Sequence, residues 1–223
     1  MLTTKLNWLE TINWFLNEKF GRLAIAIYLP IVYFIIKYDY LGILVGTIIL
    51  LGVWEILNKA TTIDWLLTTS LPYTIGLIYI CTLPPEEQLL VVVVVFAGDT
   101  GAFIGGKYLT PAKRKKFMFP KISPNKTWQG FWIGFFTAIL MGILVILKLQ
   151  SSPMLFLLLP IVYLAAVLGD LLGSKFKRSS GVKDSGDYLW TGHWMFGHGG
   201  VYDRFGALSM ASLFFCLIIK FIK

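Results

Sequence analysis

Asp170, Ser174, Lys177 and Arg178 fall at i, i+4, i+7 and i+8 within "GDLLGSKFKR", residues 169–178. On a helix those offsets share one face, so a carboxylate, a hydroxyl and two cations would line a single groove. Farther on, "GHGGVYDRFG", residues 197–206, joins His198, Gly199 and Gly200 to Asp203 and Arg204, with Lys183 and Asp184 between the two blocks. A glycine pair lets backbone approach a ligand closely. An aspartate offers oxygen to a divalent metal, and an arginine offers a planar fork to phosphate. A third block, "KISPNKTWQG", residues 121–130, sets Ser123, Lys126 and Thr127 before an apolar run. It has the pattern of a turn feeding a helix N-terminus, where free amides and the helix dipole favour phosphate. The turn is either a phosphate cradle or a plain helix cap. Walker A spacing is absent, so this loop is not a P-loop.

The elements that must position these blocks are membrane spans. Hydrophobic residues make up 57% of the 223-residue chain and charged residues 14%, against roughly 45 to 50% and 25% in a soluble domain. Apolar stretches near the ~20 residues needed to cross a bilayer fall at 22–38, 41–58, 64–83, 87–109, 128–148, 153–173 and 205–222. The expectation is an all-α, polytopic integral membrane protein of about seven transmembrane helices. Ahead of them, Leu9, Ile12, Leu16 and Phe20 recur at helical spacing beside Trp8 and Trp14, which predicts a retained amphipathic helix over 1–20 lying in the interface. Residues 21–86 then form N-terminal spans, and 87–223 form the catalytic region with loops at 110–127 and 174–204. Cys81 and Cys216 sit far apart inside apolar runs, so neither a disulfide framework nor a CxxC metal site is available.

Orientation follows from lysine and arginine in the connections. The N-terminal segment and the loops near 59, 107–126 and 175–204 hold 16 of the 20 cations, which places them in the cytoplasm. The net charge of +8 is thus mostly a charge on one face, suited to anionic lipid and not assigned to nucleic acid. Asp99 lies about 16 Å into its span, counted from Gln88 at ~1.5 Å per residue. A carboxylate at that depth must face protein or water, as part of an interhelical ion pair or of a functional site. "GILVG", "GAFIG", "GFWIG" and "GDLLG" are GxxxG spacings that favour close helix packing.

Asp99-Thr100-Gly101-Ala102, "ISPNKT" and the long pattern GD…SxxKR…KD…GHGGxxDR resemble the membrane-bound phosphatidate cytidylyltransferases, also called CDP-diacylglycerol synthases. The resemblance covers about residues 97–209, with its four blocks in the family's order. It implies a polytopic helical homodimer in a bacterial inner membrane that joins CTP to phosphatidic acid, giving CDP-diacylglycerol and pyrophosphate with Mg²⁺. Carried onto this sequence, it makes Asp170 and Asp203 the metal ligands. Lys177, Arg178, Lys183 and Asp184 become catalytic, with Asp184 orienting the cations. Substrate contacts fall to Asp99, Ser123, Lys126, Thr127, Ser174, His198, Gly199, Gly200 and Arg204. The chain departs from the pattern at Gln129, Gly173 and Gly206, where the family usually carries acids. "DYLWTGH" resembles the family's approach to the glycine turn and "WMFGHGG" repeats it, so His193 competes with His198 for one position.

Two other classes share these features. A CTP-using lipid-alcohol kinase has similar polyanion needs but transfers the γ-phosphate to a hydroxyl and requires a base there. A transporter would also bury Asp99 and Asp170, but the polar residues gather at one membrane edge and trace no continuous path across.

Overall fold

The computed structural model describes residues 40–182 and 200–222, apart from 112 and 114. The expected interfacial helix over 1–20 and the first expected span, 22–38, lie outside the described residues.

Among the described residues are six α-helices: α1 (Leu41–Lys59), α2 (Ile63–Cys81), α3 (Pro85–Ile104), α4 (Trp128–Leu149), α5 (Leu155–Ser179) and α6 (Val201–Ile222). The last turn of α3 widens into a π-helix, Gly105–Leu109. Between α3 and α4 stands a small antiparallel hairpin, β1 (Phe117–Phe119) and β2 (Ser123–Thr127), with Phe117 opposite Thr127 and Phe119 opposite Ser123. Five of the helices are long and apolar enough to cross a membrane: α1, α3 with its π turn, α4, α5 and α6. Among the described residues, five of the seven expected spans are thus found. Within α2 the described apolar stretch is Trp65–Cys81, shorter than in the other five helices.

Helix ends follow from local chemistry. The fifth of these six helices outruns its expected end at 173, since no breaker occurs before Gly181. There φ turns to +70°, and the amides of Gly181 and Val182 reach back to the carbonyls of Arg178 and Lys177, the left-handed glycine stop of a Schellman motif. Ser174, Lys177 and Arg178 consequently stand on regular helix. The run Val91–Val95 in α3 is almost entirely buried. β-Branched residues are weak helix formers, but a span without water must satisfy its backbone internally and stays helical.

Packing is set by small residues. Added β-carbons at Gly130 and Gly134 of α4 would lie 2.6 Å from the carbonyl oxygens of Ala102 and Gly98 in α3, so "GAFIG" and "GFWIG" pack on each other as GxxxG spacing expects. Gly169 of α5 meets the Gly206 carbonyl of α6 in the same way, at 2.6 Å. The "GILVG" glycines have nothing within 4 Å of such an atom among the described residues. Two ends of the bundle result. Trp65 near the start of α2 meets Phe176 near the end of α5, with ring centroids 6.3 Å apart, which places the α1/α2 connection beside the C-terminal end of α5. At the other end Ser151 donates to Glu86 at 3.3 Å, and Lys220 lies 4.8 Å over the Tyr79 ring.

Candidate active site

The hairpin is tied down at its base, where the Trp128 amide donates to the Lys116 carbonyl at 2.9 Å and the Lys116 amide to Gln129 Oε1 at 3.2 Å. Gln129, at a position where an acid was expected, is thus a structural acceptor. Thr127 is buried and its hydroxyl oxygen accepts from the Gly130 amide at 3.1 Å, which caps α4. The turn is in this respect a helix cap. The lysine beside it reaches elsewhere: Lys126 forms an ion pair with Asp170 of α5. "ISPNKT" and "GDLLG", far apart in sequence, are joined by that contact.

A second ion pair joins the next two blocks. Lys177 Nζ of α5 lies 2.7 Å from Asp203 Oδ1 in the first turn of α6, while Asp203 Oδ2 accepts from the Gly200 amide at 3.2 Å. The side chains of Lys177 and Asp203 are 14% and 12% exposed, against 24% and 40% for Lys126 and Asp170. The Lys177–Asp203 attraction is less screened, because effective dielectric falls with burial. Gly169, Asp170, Gly173, Lys177, Tyr202 and Asp203 line one small crevice between α5 and α6. The Tyr202 ring forms its wall: an added β-carbon at Gly173 would stand 3.3 Å from it, and one at Gly206 3.8 Å.

Other expected site residues are nearer the periphery. Ser174 is half-buried, Arg178 is exposed, and Arg204 is half-buried one residue beyond Asp203. Ser123 opens β2 opposite Phe119. Asp99 is on an exposed side of α3 and does not line the crevice. Lys183, Asp184, His198 and Gly199, with His193, lie outside the described residues.

One residue of this region escaped the sequence reading. Glu55 of α1 is 2% exposed, and its Oε1 and Oε2 accept from the amides of Val201 and Tyr202, each at 2.9 Å. The signal was present, since Glu55 is the single acid of a largely apolar helix, and ionisable residues inside spans are functional candidates by default.

Two carboxylates on one crevice suit a hard divalent ion, which accepts one or two carboxylates and completes its shell with water and phosphate oxygens. No cluster of three or more potential ligands occurs among the described residues. Asp170 and Asp203 fit that smaller donor set.

Fold and site together define a polytopic helical integral membrane protein with a crevice of paired lysines and carboxylates at one end of its bundle. The chain belongs to the Cytidylyltransferase family, whose model matches residues 86–222, more than half of its length. Among curated relatives, a phosphatidate cytidylyltransferase from Rickettsia conorii is 33% identical over 191 residues, 80% of this chain and 78% of that protein. Proteins of the same name from Helicobacter pylori and Haemophilus influenzae are 45% and 36% identical over 134 and 142 residues, 57% and 60% of this chain. Those two alignments take in 46% of each relative's length, so this chain matches about half of them.

Proposed function

We propose that the chain transfers the cytidylyl group of CTP to phosphatidic acid, releasing pyrophosphate and leaving CDP-diacylglycerol in the membrane. The observation that carries this is the pair of contacts Lys126–Asp170 and Lys177–Asp203, which draw three phosphate-type motifs to one end of the bundle within the family-matched stretch. Phosphatidate already carries an anionic oxygen at neutral pH, so no side chain has to generate a nucleophile. That oxygen bonds to the α-phosphorus of CTP as the α–β phosphoanhydride breaks, and the electron pair leaves with pyrophosphate. The protein must hold two polyanions in line and spread their charge.

Lys177, Arg178, Lys183 and Arg204 neutralise the triphosphate and the departing pyrophosphate, and Asp184 orients those cations. Lys126 and Ser123 hold a phosphate from the hairpin side, with the Thr127 hydroxyl turned toward its cap. Ser174, His198, Gly199 and Gly200 lie along the same motifs as substrate contacts, and Asp99 meets the polar end of the lipid. Asp170 and Asp203 would hold Mg²⁺, which when bound supplies positive charge to the phosphate oxygens.

Residues 87–223 carry the site, facing the cytoplasm, and the diacylglycerol tails stay in the bilayer. The span at 22–38, a homodimer and a bacterial inner-membrane location complete the proposal. Purified protein given radiolabelled CTP, phosphatidic acid and Mg²⁺ should yield labelled CDP-diacylglycerol and pyrophosphate. CDP with a phosphorylated lipid alcohol would replace this function with a kinase, and CTP-independent flux in liposomes would replace it with transport.

A further inference from the structure

The first turn of α6 carries Asp203 and Arg204, so whatever fixes that turn fixes one wall of the site. Its amides are the groups that would ordinarily receive a phosphate at a helix N-terminus. Here carboxylates hold them: Glu55 accepts from Val201 and Tyr202, and Asp203 accepts from Gly200. Glu55 is fully buried and arrives from a helix 146 residues upstream in the chain, at the end of α1. A buried carboxylate is tolerated when its charge is met by donors, and the positive end of a helix dipole supplies a complementary field.

We propose that Glu55 is a positioning residue for the transfer reaction, a clamp that sets the first turn of α6 and keeps phosphate off its amides. The geometry points to two consequences. Asp203 is aimed by two contacts, the Gly200 amide on one oxygen and Lys177 on the other, and both depend on where the turn sits. Tyr202, held by its own amide, packs its ring 5.3 Å from that of Tyr73 and 6.0 Å from that of Phe176, and so carries the clamp into the crevice wall. A substrate phosphate is left to the side chains of Lys177, Arg204 and Lys126 instead of the helix end.

The reaction readout rests on the function proposed above, whereas the clamp has a readout of its own. Glu55→Gln keeps the shape, but its amide nitrogen cannot accept a hydrogen bond, which strands one of the two backbone donors. Loss of such a charge-assisted bond should lower kcat about tenfold or more and leave KM for CTP within about threefold of the parent. Hydrogen exchange at Val201, Tyr202 and Asp203, measured without substrates, should quicken by about tenfold or more. Glu55→Asp retains the charge and both acceptors one methylene short, and should keep more turnover than Glu55→Gln; it also serves if the glutamine variant does not fold. Parent-like kcat and parent-like exchange in folded Glu55→Gln would overturn the proposal. So would a loss of activity accounted for wholly by a smaller folded fraction. If the parent itself makes no CDP-diacylglycerol, the proposed function fails, while faster exchange in Glu55→Gln would still establish the clamp.

Discussion

Lys177 Nζ stands 2.7 Å from Asp203 Oδ1, across the interface between α5 and the first turn of α6. The contact joins a residue whose sequence motif suits phosphate to one whose motif suits a metal. Each neutralises the other in the crevice, and neither is more than 14% exposed. Lys177 therefore has a structural role as well as a chemical one, which its position at the end of an apolar span did not suggest.

Lys177→Ala should consequently affect two measurements. It removes the cation opposite Asp203 and leaves a partly buried charge with less compensation, a loss of about 2 kcal/mol for a hydrogen bond to a charged group. The unfolding midpoint in detergent should fall. CTP titration of the protein that remains folded should show weaker use of the nucleotide. Lys177→Arg retains charge and should lose less on both counts. Parent-like CTP dependence in folded Lys177→Ala would remove Lys177 from the triphosphate site.

Two glycines of the α5/α6 interface should behave oppositely. A β-carbon at Gly169 would lie 2.6 Å from the Gly206 carbonyl and 2.8 Å from Met210 Cβ, so Gly169→Ala must push the helices apart, at a cost of about 1 to 3 kcal/mol. A β-carbon at Gly206 meets only the Tyr202 ring, at 3.8 Å. Gly206→Ala should be neutral or stabilise by up to about 1 kcal/mol through helix propensity. Unfolding midpoints of the two variants would check this, and a larger drop for Gly206→Ala would mean that the close approach is misplaced.

Hydropathy found α1, α3 with its π turn, and α4 to within two residues of their ends, because a span must be continuous and apolar. It stopped short on α5, where Lys175, Lys177 and Arg178 end the apolar run without ending the helix. Only Gly181 does that. The facing of Asp170 and Lys177 was legible from helical offsets, since periodicity reports one helix at a time. Lys126–Asp170, Lys177–Asp203 and Glu55 at α6 were not, because each joins elements that no local pattern relates. The hairpin at 117–127 was hidden as well: its two short strands flank "PKI" in a loop read as a basic connection.

Topology has its own test. The hairpin and the C-terminal end of α5 share one end of the bundle, and the α4/α5 turn lies at the other. With Cys81 and Cys216 replaced by serine, Lys115→Cys should react with an impermeant thiol reagent from the cytoplasmic side and Ser152→Cys from the opposite side. Reaction of both from one side would refute the arrangement.

Asp170→Asn and Asp203→Asn separate the metal assignment from simple charge pairing. Neutral asparagine keeps size and one acceptor oxygen but loses the anionic ligand that Mg²⁺ prefers. Each substitution should lower Mg²⁺-dependent turnover by about 100-fold, if several kcal/mol of charge stabilisation are withdrawn. Stability should divide the two. Asp170 is 40% exposed beside Lys126, and an exposed pair contributes about 0 to 1 kcal/mol, so Asp170→Asn should unfold near the parent temperature. Asp203→Asn also removes the anion facing Lys177 in a less exposed place and should unfold earlier, although its remaining oxygen can still accept from the Gly200 amide. Charge pairing alone predicts unequal losses of activity: the exposed Asp170 would then matter little and Asp203 much more. Equal and large losses across a Mg²⁺ titration support two metal ligands, and parent-like turnover in Asp170→Asn would leave Asp203 without its partner in the metal site.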